Sequence, residues 1–527
     1  MSAVIGLDFG NYNVYASYIQ DIDMDTRMGG IVHDLVPADS RGGIPSVYFY
    51  SKRVGKVLIG KNAVKRNAIP VKNQLRYLKR YLDKTVDLDG KMVAYNDAIV
   101  EVVQHCIRIA NKQLFSGYQI TTNLVSLSYP ATYTCAQKER LVQLVEKATL
   151  EDGTHVKVFG TIQEPAAAAL DYCASFIKDM RDKTVLTYDL GGGTFDLALL
   201  AAYPAGKKRS DGSVYYYDVI NTRGIGDLGG VEFDAIMYDL LLKKASIPID
   251  KSKLTNEELA NLKIAAEDTK VELSNSDEEM PQVVIGGEYV DFDIKRKEYE
   301  QMARPLVRKT VEATVKIIED HPNQKPDVIL LTGGASQMPL IKEELERALP
   351  EYKGKILPYR PNEAISYGAA RFGTVEAIVD PNAQGGSQKK STLPVQNRLT
   401  YDLGVRFIDS TKEGRPYYIH AYLKAGTVIP CESELVPSWK VEAGRCSSFT
   451  VFEANKNNPD SLKIDQDYIQ IMNVEIDHGR IVPAEHPHES RMVIDERGLL
   501  TIEARDKSAP NLPFVKAQKE LQNLSEF

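Results

Sequence analysis

The stretch "VLTYDLGGGTFDLALL", Val185 to Leu200, decides the fold. Thr184 to Leu190 is β-branched and apolar, and Phe195 to Leu200 is apolar again, so both flanks predict buried strands. Gly191, Gly192 and Gly193 between them predict the turn of a hairpin. Glycine permits positive φ and bares backbone N–H groups, so such a turn lets an anion approach the main chain. Thr194 adds a hydroxyl. Asp189 at the end of the first strand would repel a phosphate unless a cation lay between them, and so points to Mg²⁺ held through its waters. Taken alone, the same residues also describe a plain β-turn whose flanks, Asp189 and Asp196, are solvated.

The pattern recurs. "VIGLDFGNYN", Val4 to Asn13, is again an apolar strand, an Asp, one apolar residue, a Gly and a polar turn. Asp8-Phe9-Gly10 echoes Asp189-Leu190-Gly191, and two copies imply two similar lobes facing one ligand. A third glycine turn, "VILLTGGASQMP" from Val328 to Pro339, follows a buried strand and precedes the helical "LIKEELERAL". A junction of that kind suits a nucleoside lying against backbone. The chain has no G-x-x-x-x-G-K-[ST], which excludes a P-loop, and no G-x-G-x-x-G is expected between a strand and a helix.

Composition narrows the function classes only a little. A chain of 527 residues, 43% hydrophobic and 26% charged, is long enough for several globular domains. The formal charge of −7 is spread evenly, so neither a nucleic-acid partner nor an acidic tail is expected. No apolar run is long enough for a bilayer span, and Ala3 to Leu7 reads as a first strand and not a leader, so no membrane partner is expected. The cysteines at 106, 135, 173, 431 and 446 fit neither a disulfide framework nor a zinc pattern, and a reducing cytoplasm is the expected location.

With the three glycine loops in hand, the sequence resembles the seventy-kilodalton heat-shock protein family, the DnaK-type chaperones. The blocks "GLDFGNYN", "LKRYLDK", "SYPATYTCAQKERL", "QEPAAAALDY", "YDLGGGTFD", "GDLGGVEFD", "IAAEDTKVELS", "LLTGGASQMP" and "NEAISYGAA" follow the family's order. The resemblance implies a two-lobed, actin-like α/β ATPase domain over residues 1–380, a flexible linker over 381–398, and an all-β sandwich resembling the peptide-binding domain over 399–508. A short tail or truncated lid would fill 509–527. It implies ATP or ADP with Mg²⁺ as ligands. The implied partners are unfolded or extended polypeptide clients, with J-domain and nucleotide-exchange co-chaperones. The implied activity is ATP hydrolysis, possible at a slow rate, in a molecular chaperone. The alternative is a nucleotide-gated scaffold for peptides or a partner, with weak turnover.

Residue by residue, Lys79 matches the lysine that reaches the γ-phosphate, and Glu164 the glutamate near the attacking water. On the residues alone, Lys79 in a basic helix with Arg76 and Arg80 reads as a solvated face, and Glu164 as a first-turn acid. Asp8 and Asp189 match the pair around the Mg²⁺ shell. Gly10, Asn11, Tyr12 and Asn13 form the first phosphate loop. Gly191, Gly192, Gly193 and Thr194 form the second, and Gly229 and Gly230 a further one. Glu267, Lys270 and Ser274, spaced three and four apart on one helical face, match adenosine contacts. Gly333, Gly334, Ala335, Ser336 and Gln337, with Asn362, would close over the base.

Departures from the family pattern are expected to affect turnover. Asn11-Tyr12 stands where the family has two threonines, Gln337 where it has an arginine, and Asn362 where it has an aspartate. Lys138 replaces an arginine, and the linker lacks the family's leucine run, with Leu393 and Val395 the only nearby candidates. Weak communication between domains is therefore expected. Phe449 stands at a peptide-pocket position and reads equally as a core aromatic. His478, His486 and His488 suggest a metal by residue type, but without acidic or Cys partners at fixed spacing they read instead as a polar loop. "NLPFVKAQKELQNLSEF", Asn511 to Phe527, is read as one short helix at most.

Overall fold

The computed structural model describes residues 3–518, apart from 22–29, 37–42, 54, 65–70, 89, 177–182, 209–213, 380–394, 400, 409–416, 441, 455–466, 495–499, 510 and 512. The chain divides into two compact units. The first comprises 1–132, 142–217 and 222–394, and the second 133–141, 218–221 and 395–527.

Two sheets organise the first unit, and they share one topology. In the first sheet, β1 (Ile5–Phe9) pairs antiparallel with β2 (Asn13–Gln20), which borders β3 (Ile31–Asp34). After helix α1 (Tyr95–Tyr118), β4 (Leu124–Tyr129) lies parallel to β1, and β5 (Lys157–Gln163) parallel to β4. Helix α2 (Glu164–Ser175) follows directly, with Pro165 in its first turn, where the missing N–H costs nothing.

The second sheet repeats the plan. β6 (Thr184–Leu190) pairs antiparallel with β7 (Phe195–Lys208), and β8 (Val214–Ile225) lies beside β7. Helices α3 (Gly230–Lys244), α4 (Asn256–Glu272) and α5 (Arg296–Glu319) intervene. β9 (Val328–Thr332) then returns parallel to β6. After α6 (Pro339–Ala348), β10 (Ile356–Pro358) lies parallel to β9. The hairpins expected at Asp8 and Asp189 are thus the first two strands of equivalent sheets.

Every residue of β1, β6 and β9 is buried, as strands covered on both faces require. Helix α7 (Ala364–Val379) closes the unit against α2 and β1. The fit is close: a Cβ on Gly368 would lie 1.8 Å from the Ala167 carbonyl oxygen. Asp171 on α2, fully buried, accepts from Arg371 Nε at 2.8 Å, Arg360 Nη1 at 2.9 Å and the Tyr359 hydroxyl at 2.7 Å.

The second unit carries two antiparallel sheets with a common core. β11 (Leu403–Ile408) pairs with β12 (Tyr417–Leu423), and β13 (Val436–Trp439) belongs to the opposite sheet. β14 (Gly444–Ala454) joins β11 to β15 (Tyr468–Val482). The second sheet orders β16 (Pro487–Ile494), β17 (Leu500–Asp506) and β18 (Val515–Gln518). Val405, Phe449, Val451, Val474, Met492 and Ile502 meet in one buried cluster. Phe449 is 6% exposed and so sits in the core, not at an open pocket.

Two expectations change here. Most of the linker read at 381–398, with Leu393, lies outside the described residues, but Val395–Arg398 is a strand paired with Val428–Ile429, not coil. It contains no Gly or Pro to break it. The tail read as a helix is a strand over 515–518, since β17 offers it an open edge. Phe514 lies over the Arg505 and Arg491 guanidinium groups, at 4.4 and 5.4 Å, and residues 519–527 lie outside the described ones. Among the described residues, no helix is long and apolar enough to cross a membrane.

Gly368→Ala tests the contact between α2 and α7. The added methyl meets backbone that cannot rotate away, so unfolding stability should fall by about 2 kcal/mol or more. Denaturant titration measures it, and an unchanged midpoint would contradict the packing described.

Candidate functional site

A cleft of about 320 Å³ lies in the first unit, within the range of small-ligand pockets. The turns of both hairpins, the turn after β9 and helix α4 all line it. Its walls include every residue expected at the site except Gly229 and Ser336. Those two stand behind it. A Cβ on Gly229 would lie 2.6 Å from Gly193 backbone, so Gly229 lets the turn of the second hairpin rest on the start of α3. Ser336 is buried, and its hydroxyl donates to the Gly333 carbonyl at 2.7 Å, holding the turn. Gly333 itself has φ of +78°, a conformation that side chains disfavour.

The hairpins deliver carboxylates. Register sets Asp189 opposite Asp196 across β6 and β7, so two like charges share one face of the sheet. Asp8 reaches the same cleft from β1. Asp8 is 6% exposed, Asp189 2% and Asp196 fully buried. Burial, then the neighbouring Glu164, pushes Asp8 up to about 7, against an opposing effect of Lys79 and a hydrogen bond from Ser128. Burial and Glu164 push Asp196 up to about 7 as well. Burial and the charges of Glu164, Asp196 and Asp8 raise Asp189 well above the usual carboxylate range. Asp189 Oδ1 and Asp196 Oδ2 are buried without a hydrogen-bond partner. A divalent cation held through its waters fits these residues: hard oxygen acceptors and excess negative charge from Asp8 and Asp189 on the cleft wall, with Asp196 paired behind Asp189.

One cation of the chain already stands there. Lys79 is buried, and its Nζ donates to Glu164 Oε1 at 2.7 Å. Lys79 therefore does not belong to a solvated basic face. Its segment is a short 3₁₀ turn, Leu78–Tyr81, not the basic helix expected; Tyr77, at φ of +56°, forces the chain to turn just before it. Glu164 opens α2 as expected, but points its carboxylate at Lys79.

The turn of the first hairpin gains a contact at Asn11 and Tyr12, where two threonine hydroxyls were expected. A Cβ on Gly192 would lie 2.1 Å from the Tyr12 ring, and one on Gly193 would lie 2.3 Å from Asn11 Nδ2. Asn11 and Tyr12 thus press against the second loop, and only glycine leaves room. The Tyr12 hydroxyl donates to Asp234 Oδ2 on α3 at 2.5 Å. Asp234 Oδ1 pairs with Lys270 Nζ at 2.6 Å, and that ammonium also donates to the Gly230 carbonyl at 3.3 Å. Burial and the Asp234 charge raise the Tyr12 phenol well above its ordinary value, so it stays a donor. Glu267, the neighbouring face of α4, accepts from Arg76 at 3.2 Å and from Tyr77. Residues expected at the adenosine are therefore also ties across the cleft.

Asp196 and Asp234 are the residues beside the cleft that carried no assigned role in the sequence. Asp196 was visible as the second flank of the glycine turn. Asp234 had no local signal. One motif expected to be absent is present: Gly224-Ile225-Gly226-Asp227-Leu228-Gly229 has the G-x-G-x-x-G spacing, after β8 and before α3. It is not a dinucleotide turn. β8 lies beside β7, and the five residues between them are too few for a parallel crossover.

Asp196→Asn tests the charge crowding. An acid whose folded value is raised from 3.8 to about 7 contributes stability that is lost as pH rises through that window. Removing it should raise the melting temperature of the ligand-free protein, by a few degrees more at about pH 8 than at about pH 5. An equal shift at both would show that Asp196 carries no uncompensated charge.

Two sheets of equivalent topology, a glycine-rich cleft between their hairpin turns and buried carboxylates beside one lysine are all in place. The family model described as Hsp70 protein matches residues 4–384, most of the chain, and the protein belongs to the Hsp70 family.

Proposed function

We propose that the cleft binds ATP with Mg²⁺ and hydrolyses it to ADP and phosphate, in service of a chaperone that holds extended polypeptide on its β-rich unit. Hsp70 proteins are ATPases that bind ATP and ADP with Mg²⁺. The observation that carries the reading to this chain is that buried Asp8 and Asp189 line the cleft beside glycine backbone and Lys79, with buried Asp196 opposite Asp189 on the hairpin. Asp8 and Asp189, with Asp196 beside them, would hold the ion, which supplies positive charge to the phosphoryl oxygens.

The chain's own residues divide the remaining work. The N–H groups of Asn11 to Asn13 and of Gly192 to Thr194 offer donors to the phosphates, while those of Gly10 and Gly191 close the two hairpins on Asn13 and Thr194. Lys79 holds a point charge for the transferring group, where it counts most as charge develops. Glu164, oriented by its ion pair with Lys79, positions the attacking water. Glu267, Lys270, Ser274, Gly333 to Gln337 and Asn362 flank the nucleoside. Polypeptide clients, J-domain and exchange co-chaperones, the actin-like lobes and a cytoplasmic location belong to the same proposal.

A second reading, a nucleotide-gated scaffold with weak turnover, draws support from Tyr12. Its ring fills the space against Gly192, and its hydroxyl is spent on Asp234. A tyrosine so tied cannot swing toward a phosphate or a water.

One turnover assay separates the readings. Lys79→Ala should cut ATP hydrolysis by about 100-fold while ATP affinity changes far less. Asn11→Thr with Tyr12→Thr should raise hydrolysis, by roughly tenfold, if the bridge to Asp234 is what slows it. A Lys79→Ala protein with unchanged turnover would overturn the catalytic assignment. A double variant no faster than the parent would remove the structural basis of the scaffold reading.

A further inference from the structure

The histidines read from the sequence as a polar loop are gathered by the β-rich unit into one cluster. His478 lies near the end of β15, His486 in the turn that follows, and His488 on β16. Register sets His488 opposite Asp506, the last residue of β17. β15 belongs to one sheet and β16 to the other, so the cluster closes one end of the sandwich. The side chain of His478 is 2% exposed, and His486 and His488 are 8% and 2% exposed.

The three rings form a nearly equilateral triangle. Their centroids lie 5.1, 5.2 and 5.4 Å apart. Metal–nitrogen bonds of about 2.0–2.1 Å at tetrahedral angles set three imidazole centroids about 5.2 Å apart. One nitrogen from each ring lies within 4.8 Å of the others, against about 3.3 Å for ligands of one tetrahedral ion. The centroids are already spaced correctly, so ring rotation closes the difference. Among the described residues, this is the one such group of histidine, cysteine and acidic side chains.

The neighbours are arranged as a second layer would be. Asp506 Oδ2 lies 2.7 Å from His486 Nε2 and 3.4 Å from His478 Nδ1. That leaves His478 Nε2, which lies 3.2 Å from His488 Nε2 and 2.9 Å from Ser447 Oγ, to face inward. A carboxylate on one ring nitrogen, with the other nitrogen offered inward, is how histidine ligands are oriented and made more basic. Phe449 packs edge-on to His488 at 5.8 Å and shields it.

We propose that His478, His486 and His488, oriented by Asp506, bind a late first-row divalent cation such as Zn²⁺. Three imidazole donors select against Mg²⁺ and Ca²⁺, which take oxygen, so this site is distinct in chemistry from the cleft. Its burial leaves no room for a substrate, and the ion acts as a clip between the two sheets. This inference does not rest on the nucleotide reading.

Metal-free full-length protein titrated with Co²⁺ reports the site directly. One equivalent should bind with the strong visible bands of tetrahedral Co²⁺, which Zn²⁺ then displaces. Co²⁺ at an oxygen-lined octahedral site gives only weak bands. Asp506→Asn should weaken binding by about 10–100-fold, and His478→Gln with His488→Gln should abolish it, with circular dichroism confirming the fold. No tetrahedral spectrum from the parent protein, or an undiminished one from a folded double variant, would overturn the proposal. If the double variant does not fold, spin-echo spectroscopy of the Cu²⁺-loaded parent decides. Two or more coordinated imidazoles support the site, and one or none refutes it.

Discussion

Asp189 and Asp196 face each other across one hairpin, both buried, and Asp8 joins them from a second hairpin. Most of the cleft follows from holding these charges together. Like charges opposed on a sheet repel, and burial in a poorly polarisable interior makes each charged form costlier. The surrounding structure answers with the buried ion pair of Lys79 and Glu164, a hydrogen bond from Ser128 to Asp8 and one from the Thr132 N–H to Asp196. These do not balance the site, which is why the carboxylates lean toward their neutral forms. Such an arrangement is sensible only where a cation completes it.

Glycine is the second constraint, and it acts through distance more than flexibility. The loops of the two hairpins approach each other so closely that Gly192 and Gly193 have no room for a side chain. Asn11 and Tyr12 use that proximity. Tyr12 spans from the first sheet to Asp234 on α3, and Asp234 is in turn held by Lys270. The network joins parts of the unit that a nucleotide would otherwise join. Its energetic consequence depends on the donor hydroxyl, because removing it leaves buried Asp234 with only its lysine.

The strands and turns of the first unit were legible because each is local. Thr184 to Leu190 and Val328 to Thr332 are largely β-branched and apolar stretches ended by glycine, and both are strands. Of the residues lining the cleft, the carboxylates and glycines of those turns were legible in the residues themselves, while Lys79, Glu164, Glu267, Lys270, Ser274 and Asn362 were placed only by the family resemblance. Contacts between distant segments were not. Nothing near Lys79 announces Glu164, 85 positions away, and nothing near Tyr12 announces Asp234. The histidines failed for the same reason: positions 478, 486 and 488 match no local motif, and only the turn between β15 and β16 folds them together. The tail failed because polar residues with spaced apolar ones suit a helix, while an open sheet edge overrides weak propensity.

The central claim is that the cleft is built for a nucleotide whose charge is joined to the carboxylates by a cation. Calorimetry of ATP binding with Mg²⁺ present and with Mg²⁺ chelated tests it most directly. The account predicts tight binding with Mg²⁺ and at least about tenfold weaker binding without it, since repulsion from Asp8, Asp189 and Asp196 is then uncompensated. Equal affinity in both conditions, or no binding in either, would contradict it.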